Sequence, residues 1–526
     1  MTILDPMTTH EPSAVRRDAI LCAALALLAI GLRLIPGPRL IDDAYITYRY
    51  AKNIIDGAGF VYNPGQNVLG TTTPLYTLLL AAIGSVTGSA ALPIVSPIIN
   101  ALADGIGAAV LYMLGKRLLE HRLPALIVAF LWALSPASIT FAIGGMETSV
   151  AITLMLGTFA AYAYQRPKLA AALTGFALLT RPDTLIWAGP LGIAMIAERW
   201  AANRDQPLWK RLPLTGGAIF AGIAAPWIVF AWLTFGSPLP HSMSAKIVAY
   251  IVQPTQGLVI FVQTFATPFH EFTSFGATGA IVGFALYLPL SALGCLYLIH
   301  RKWRNAPIAL FPWVYATTFA LANPLIFRWY TAPSLPIYFL TIVSGAWGLA
   351  TRIGGQNRAR WALATLGVAW TLLSMNEWRL HPDHGPDRPA PDMAWHQLEL
   401  LYQQAALSLK PLIKENTVIA AGDIGAMGWF SEARILDTLG LISPEATRYY
   451  PIDPAMLGDA PYSVAPDLII DQQPDYVVIL ETYGRNGLLK DPRFKAMYRL
   501  REKIETDIYS SDGMLIFERI DLSGGS

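Results

Sequence analysis

Charge is scarce in this chain. Asp, Glu, Lys and Arg make up only 14% of its 526 residues, against roughly 25% in soluble domains. With 54% hydrophobic residues and a mean hydropathy of +0.43, that deficit points to an integral membrane protein. Cysteine is nearly absent. Cys22 and Cys295 both sit in apolar runs, which excludes a disulfide framework and a CxxC metal pattern. The net charge of +2 gives no reason to expect a nucleic-acid partner. No GxxxxGK[ST] stretch occurs, so there is no P-loop for a nucleotide. There is also no internal repeat and no low-complexity tract.

What is abundant is apolar sequence in runs. A span needs about 20 apolar residues. The candidates are 19–36, 92–115, 123–143, 147–164, 168–181, 184–199, 212–235, 276–299, 306–324, 331–350 and 361–377. The first follows Arg16 and Arg17 and ends without a small-x-small cleavage site. It is therefore expected to be an uncleaved signal-anchor helix, with Arg33 snorkelling near its end. Eleven spans from a cytoplasmic N-terminus leave the C-terminus outside. The basic residues agree with this orientation. Predicted cytoplasmic segments hold Arg16, Arg17, Lys116, Arg117, Arg122, Arg166, Lys168, Arg199, Arg204, Lys210, Arg211, Arg301, Lys302, Arg304, Arg352, Arg358 and Arg360. Predicted outer loops hold only Arg39, Arg49, Lys52, Arg181, Lys246 and Arg328. The short apolar run 74–87 would invert everything after it if it crossed. It is expected to lie on the outer surface, within a long first outer loop, 37–91.

Composition changes after Asn376. A linker rich in Pro and Asp is expected at 381–395. Beyond it, 417–423, 433–438, 476–480 and 514–520 read as strands of an outer α/β domain, 396–526. The membrane domain is then 1–380.

The predicted outer face collects the residues with chemistry. Asp42 and Asp43 open the first loop. Gly144-Gly-Met-Glu147-Thr joins spans three and four. Arg181-Pro-Asp183 joins five and six. His241 and Lys246 follow span seven, and Arg328-Trp-Tyr330 lies between nine and ten. Charges near membrane depth usually line a polar cavity. A carboxylate can take the proton of an attacking hydroxyl, and Arg or Lys can hold a phosphate and the charge it gains on leaving. Together these suggest a transferase whose donor is a sugar on a lipid phosphate. Each residue also has a plainer use. Either aspartate could cap the helix that follows, Glu147 could cap span four, and Arg181 could pair with Asp183. Lys246 and Arg328 could meet lipid headgroups, and His241 could be an ordinary loop histidine. The stretch "GDIGAMG", 422–428, reads as a strand followed by a glycine turn. His270, Glu271, His381, Asp383 and His384 match no metal-ligand spacing.

The run "DDAYITYRYAKNIIDGAGFVYNPGQNVLGTTTPLYTLLLA" resembles the first outer loop of GT-C glycosyltransferases. It is closest to the branch containing the mycobacterial terminal arabinofuranosyltransferase. "GGMET", "ALLTRPD", "GSPLPHSMSAK", "FRWYTAPSLP" and "GDIGAMGWFSEARILDTLGL" follow in that family's order. The resemblance spans nearly the whole chain. It implies a polytopic α-helical GT-C fold of about 11 transmembrane helices in the bacterial inner membrane, with an extracytoplasmic C-terminal α/β domain. It implies a polyprenyl-phosphate sugar donor, arabinofuranose among the candidates, and a glycan or lipid acceptor that the C-terminal domain helps to hold. Asp42 or Asp43 would be the general base, with Asp42 slightly favoured. Lys246, Arg328 and Arg181 would contact the donor phosphate, and Glu147, His241, Tyr45, Arg49 and Tyr330 would line the substrate. No cofactor is firmly implied, and a divalent cation stays open. Gln66 and Leu69 stand where relatives often carry Glu, which argues against a metal held by this loop. The competing readings are a transporter or flippase of lipid-linked sugars, and a non-catalytic glycan-binding scaffold. A transporter predicts charges near the bilayer midplane, broken helices and repeat symmetry.

Overall fold

In hydrocarbon every backbone amide must find a partner within its own segment, so apolar runs close as helices. The computed structural model describes residues 12–270, 272–376, 394–457, 460 and 462–520. Helices occupy each of the eleven predicted segments. The third is broken into Arg122–Leu134 and Pro136–Ile143, bent by 46°, because Pro136 cannot donate to the ladder. The last two are one long helix, Leu335–Asn376, interrupted at Gly355, whose φ is 69°. Among the described residues four helices are long and apolar enough to cross a membrane unaided, or five with the bent pair counted as one. Others, such as Thr148–Ala163 and Pro167–Thr180, fall short of about 20 residues. The expected surface element is the helix Pro74–Thr87. It buries Tyr76, Thr77, Leu80, Ala81 and Gly84 and exposes Leu78, Leu79 and Val86.

The first helix, Pro12–Leu34, corrects one expectation. Arg33 does not snorkel but is only 2% exposed. Its Nε donates to Asp104 Oδ2 at 2.6 Å, and Nη2 donates to Ser138 Oγ at 2.7 Å. Its Nη1 donates to the carbonyls of Ala29 and Ala133, at 3.1 and 2.7 Å. Asp104, on the neighbouring helix Leu92–Leu119, offers a counter-charge nearer than the interface. A charged pair in low dielectric is tolerated when its remaining donors are satisfied, and here they are.

The C-terminal residues form a five-stranded sheet: β1 Val418–Ala421, β2 Arg434–Asp437, β3 Tyr476–Leu480, β4 Tyr498–Ile504 and β5 Met514–Arg519. The spatial order is β2-β1-β3-β5-β4. β1 runs parallel to β2 and to β3, and β5 is antiparallel to β3 and β4. Four strands lie where the sequence predicts them. β4 was not predicted. Its sequence, YRLREKI, has three consecutive charged residues, Arg501, Glu502 and Lys503, and a register shift between Leu500 and Glu502 breaks its period. That is how an edge strand resists pairing with another chain, and it erases the apolar alternation that marks a strand. The predicted linker 381–395 falls almost wholly outside the described residues.

Replacing Asp104 with Ala leaves Arg33 buried without its counter-ion. It should lower unfolding stability in detergent by about 3–5 kcal/mol. The double change Arg33→Met with Asp104→Leu should recover most of that loss in the same thermal-unfolding measurement.

Candidate functional site where the first loop meets the sheet domain

The helix Asp42–Ile55 begins after Ile41, which is extended at φ −107° and makes no side-chain cap. Neither aspartate therefore caps its own helix, as one reading of the pair had it. Both sit in the first turn, where the helix dipole favours acids. Neighbouring helical positions point about 100° apart, so the two carboxylates serve different partners.

Asp42 faces the C-terminal domain. Its Oδ2 accepts from the Gly425 amide at 2.7 Å and its Oδ1 from the Ala426 amide at 2.8 Å. It thus caps the helix Gly425–Ser431 from another part of the chain. The approach is close enough that a Cβ on Gly425 would lie 2.0 Å from the Asp42 carbonyl oxygen. Burial, together with the neighbouring Asp423 charge, pushes the Asp42 carboxyl well above its usual range, and the two amides pull the other way.

Asp43 faces Lys246, with Oδ2 3.9 Å from Nζ. Both side chains keep partial exposure, 31% and 22%. Lys246 rides on the helix His241–Ala249 and lies 5.3 Å from the Phe327 ring centre. Burial would lower its pKa, but Tyr330, Asp43 and Asp437 outweigh that and hold it above the ordinary value.

Behind this pair lies a second charged group. Arg181 is 5% exposed. Its Nη1 donates to Glu147 at 3.1 Å, and its Nε and Nη2 fork onto Asp183 at 3.0–3.2 Å. Tyr315 also donates to Asp183, at 2.6 Å. The guanidinium lies over the Tyr330 ring, 5.4 Å from its centre. Arg181 is thus paired with two carboxylates.

Two first-loop residues expected to line the substrate are placed elsewhere. Arg49 directs its guanidinium at backbone carbonyls: Nε donates to Tyr62 at 3.0 Å, Nη2 to Ala433 at 2.6 Å, and Nη1 to Gly428. Those bonds use the charge to fasten the loop to the sheet domain. Tyr45 packs its ring against Tyr48, Trp429 and Phe430. Tyr62 and Asn63 extend the same seam. The Tyr62 hydroxyl donates to Ile424 at 2.6 Å, and Asn63 exchanges bonds with the Ile435 backbone at 2.8 and 3.1 Å. His241 opens the Lys246 helix, its amide donating to Leu69 at 2.8 Å. Its Nε2 is buried without a hydrogen-bond partner. Arg328 starts the turn Arg328–Thr331, and its side chain lies outside the described residues. So do Glu271, His381, Asp383 and His384. Among the described residues no group of three or more His, Cys, Asp and Glu is arranged to hold a metal ion.

The sequence reading missed three residues of the sheet domain. Asp423 follows β1 and lies within electrostatic reach of Asp43 and Lys246. Burial pushes its carboxyl up to about 6, against the pull of the Tyr402 hydroxyl. Glu399 and Tyr402 come from the helix Ala394–Leu409. Glu399 is 4% exposed, and its Oε2 has no hydrogen-bond partner. Burial, Asp42 and Asp423 push its carboxyl well above the usual range. A signal for Asp423 was present in "GDIGAMG": an acid just past the carboxyl end of a parallel strand, where open α/β sheets bind ligands.

The profile of a domain of unknown function, DUF8728, matches residues 391–517, and no curated protein matches the chain. Among solved structures, the chain is similar to the oligosaccharyltransferase of Archaeoglobus fulgidus in its apo form. The TM-score is 0.55 at 13% identity, covering 96% of this chain and 75% of that one. It is similar to ArnT of Cupriavidus metallidurans bound to undecaprenyl phosphate, with TM-score 0.54 at 13% identity, covering 97% and 99%. It also matches the Archaeoglobus fulgidus oligosaccharyltransferase AglB in complex with an inhibitory peptide and a dolichol-phosphate, with TM-score 0.53 at 13% identity, covering 98% and 75%. These likenesses show a shared fold, in line with the GT-C architecture expected from the motifs. They do not single out the arabinofuranosyltransferase branch.

The seam is tightest at Gly425, so Gly425→Ala should force the first loop and the sheet domain apart. Hydrogen exchange should then rise by about tenfold or more across 42–63 and 424–437, with the membrane helices unchanged. Unchanged exchange at the seam would show that the contact is not needed to hold the loop.

Proposed function

We propose that this protein is a membrane glycosyltransferase. In this reading it moves a sugar from a polyprenyl-phosphate donor to a hydroxyl of a cell-envelope glycan or lipid. The observation that carries the reading is the Asp43–Lys246 pair, a carboxylate and an ammonium 3.9 Å apart and both partly exposed. Support comes from the fold, which is shared with a structure bound to undecaprenyl phosphate and one in complex with dolichol-phosphate.

The chemistry follows from those two groups. The acceptor oxygen attacks the anomeric carbon, and its proton passes to Asp43. The bond from that carbon to the phosphate oxygen breaks as the new one forms. The lipid phosphate leaves with one more negative charge than it had in the diester, and Lys246 stabilises that charge. Arg328, the residue after Phe327, whose ring centre lies 5.3 Å from Lys246 Nζ, is the second candidate for the phosphate. A single displacement inverts the anomeric configuration. Asp43 takes the role of base because both Asp42 oxygens are engaged by amides. Asp42 is then a positioning residue that sets the turn from which Asp43 projects. Glu147 and Arg181 act in the same way on Tyr330.

The finer features of the reading rest on the motifs and the charge asymmetry. They are a site and sheet domain on the outer face of the bacterial inner membrane, and arabinofuranose as a donor sugar to test first.

Purified protein incubated with a panel of polyprenyl-phosphate sugars and an envelope-glycan acceptor should release polyprenyl phosphate from at least one donor, read by mass spectrometry. Asp43→Asn should reduce turnover by about 10²–10⁴-fold with donor affinity retained. Lys246→Ala should weaken donor binding as well as turnover. Wild-type turnover in Asp43→Asn would refute its role as base. Lipid-linked sugar crossing a proteoliposome bilayer without any transfer would favour a flippase instead.

A further inference from the structure

The topology of the sheet domain places an acid, Asp423, just past the carboxyl end of a parallel strand. β1 is flanked by β2 on one side and β3 on the other, all three parallel. The connection after β1 therefore leaves towards one neighbour, while the strand on its other side arrives later in the chain. Such a reversal opens a crevice at the carboxyl ends of the strands, the usual ligand site of an open α/β sheet. Asp423 stands at that end of the sheet, two residues beyond the end of β1. The next residues, Gly425 and Ala426, are held on Asp42 by two hydrogen bonds. Asp423 is thus tied to the same helical turn that carries Asp43. It feels the charges of both Asp43 and Lys246.

Among the described residues Asp423 makes no salt bridge, although it feels the Lys246 charge. Lys246 itself pairs with Asp43. The Asp423 carboxyl oxygens can accept hydrogen bonds from a ligand. A second carboxylate beside the base has little to offer an anionic phosphate, which it would repel. It suits a neutral polyol, whose hydroxyls donate to carboxylates.

We propose that Asp423 belongs to the active site and binds the acceptor, which is a glycan bearing a second hydroxyl beside the one that reacts. Asp43 takes the proton of the attacking hydroxyl, and Asp423 accepts a hydrogen bond from its neighbour. The acceptor is then gripped by one carboxylate from the membrane domain and one from the sheet domain. This rests on the transferase reading above and adds to it the residue and the chemistry that choose the acceptor.

The two substrates of such an enzyme separate the roles. With a donor that the wild type uses, transfer to a glycan acceptor and slow transfer to water are followed together in the full-length protein. Asp423→Asn should lower kcat/KM for the acceptor by about 100-fold and raise its KM. The loss of acceptor transfer should exceed any loss of transfer to water by about tenfold or more, because water needs no bound polyol. Asp43→Asn should lose both reactions. Asp423→Glu, which keeps the charge, should recover part of the acceptor transfer, and it serves as the test if the Asn variant fails to fold. Equal loss of transfer and hydrolysis in Asp423→Asn, or no loss of either, overturns the assignment. A wild type that releases polyprenyl phosphate from no donor overturns the transferase reading, and this one with it.

Discussion

Two hydrogen bonds from Asp42 to the Gly425 and Ala426 amides hold the rest of the site in place. They join the first turn of the loop helix to the first turn of a helix almost four hundred residues later. The Asp42 carboxyl satisfies amides at a helix N-terminus that have no partner within their own helix. Arg49 reinforces it by donating to the carbonyls of Gly428 and Ala433, the C-terminal side of the same short helix. One acid takes the amide end and one base takes the carbonyl end. The helix Gly425–Ser431 is thereby clasped at both poles of its dipole.

That clasp sets what the neighbouring residues can do. Asp43 is turned away from the seam by the geometry of the helix and meets Lys246. Asp423, just before the clasped amides, is carried within electrostatic reach of both from the other domain. Glycine is needed where the two backbones come closest, since a Cβ on Gly425 would meet the Asp42 carbonyl. The charged groups further in, Glu147, Arg181 and Asp183, satisfy one another. They are buried far enough that leaving any of them alone would be costly. Arg181 also lies over the Tyr330 ring.

The membrane part of the fold was legible because the hydrophobic effect acts on long runs, and long runs survive in one dimension. The four sheet strands found in advance have apolar cores of the same kind. β4 was hidden because its exposed charges, which protect an edge, break the pattern that announces a strand. Arg33 was misread for a related reason. Its neighbours in sequence are apolar and near a predicted interface, so snorkelling was the local expectation. Its partner Asp104 is 71 residues away, and local patterning carries no trace of that distance.

The run that opens the loop, with its paired aspartates and ordered later motifs, determined the kind of site and the residue types it uses. The structure then brings one of those acids, Asp43, within 3.9 Å of the base Lys246. Which aspartate is free to act was not determined in that run, since two neighbours in a helix differ only in direction. Direction has meaning only once another element stands in its path. The sheet domain supplies that element: its amides take Asp42, its carbonyls take Arg49 and its aromatic rings take Tyr45. Tertiary contact alone separates the carboxylate that fastens the seam from the one that meets Lys246, because a buried polar group must satisfy the nearest partner it is given.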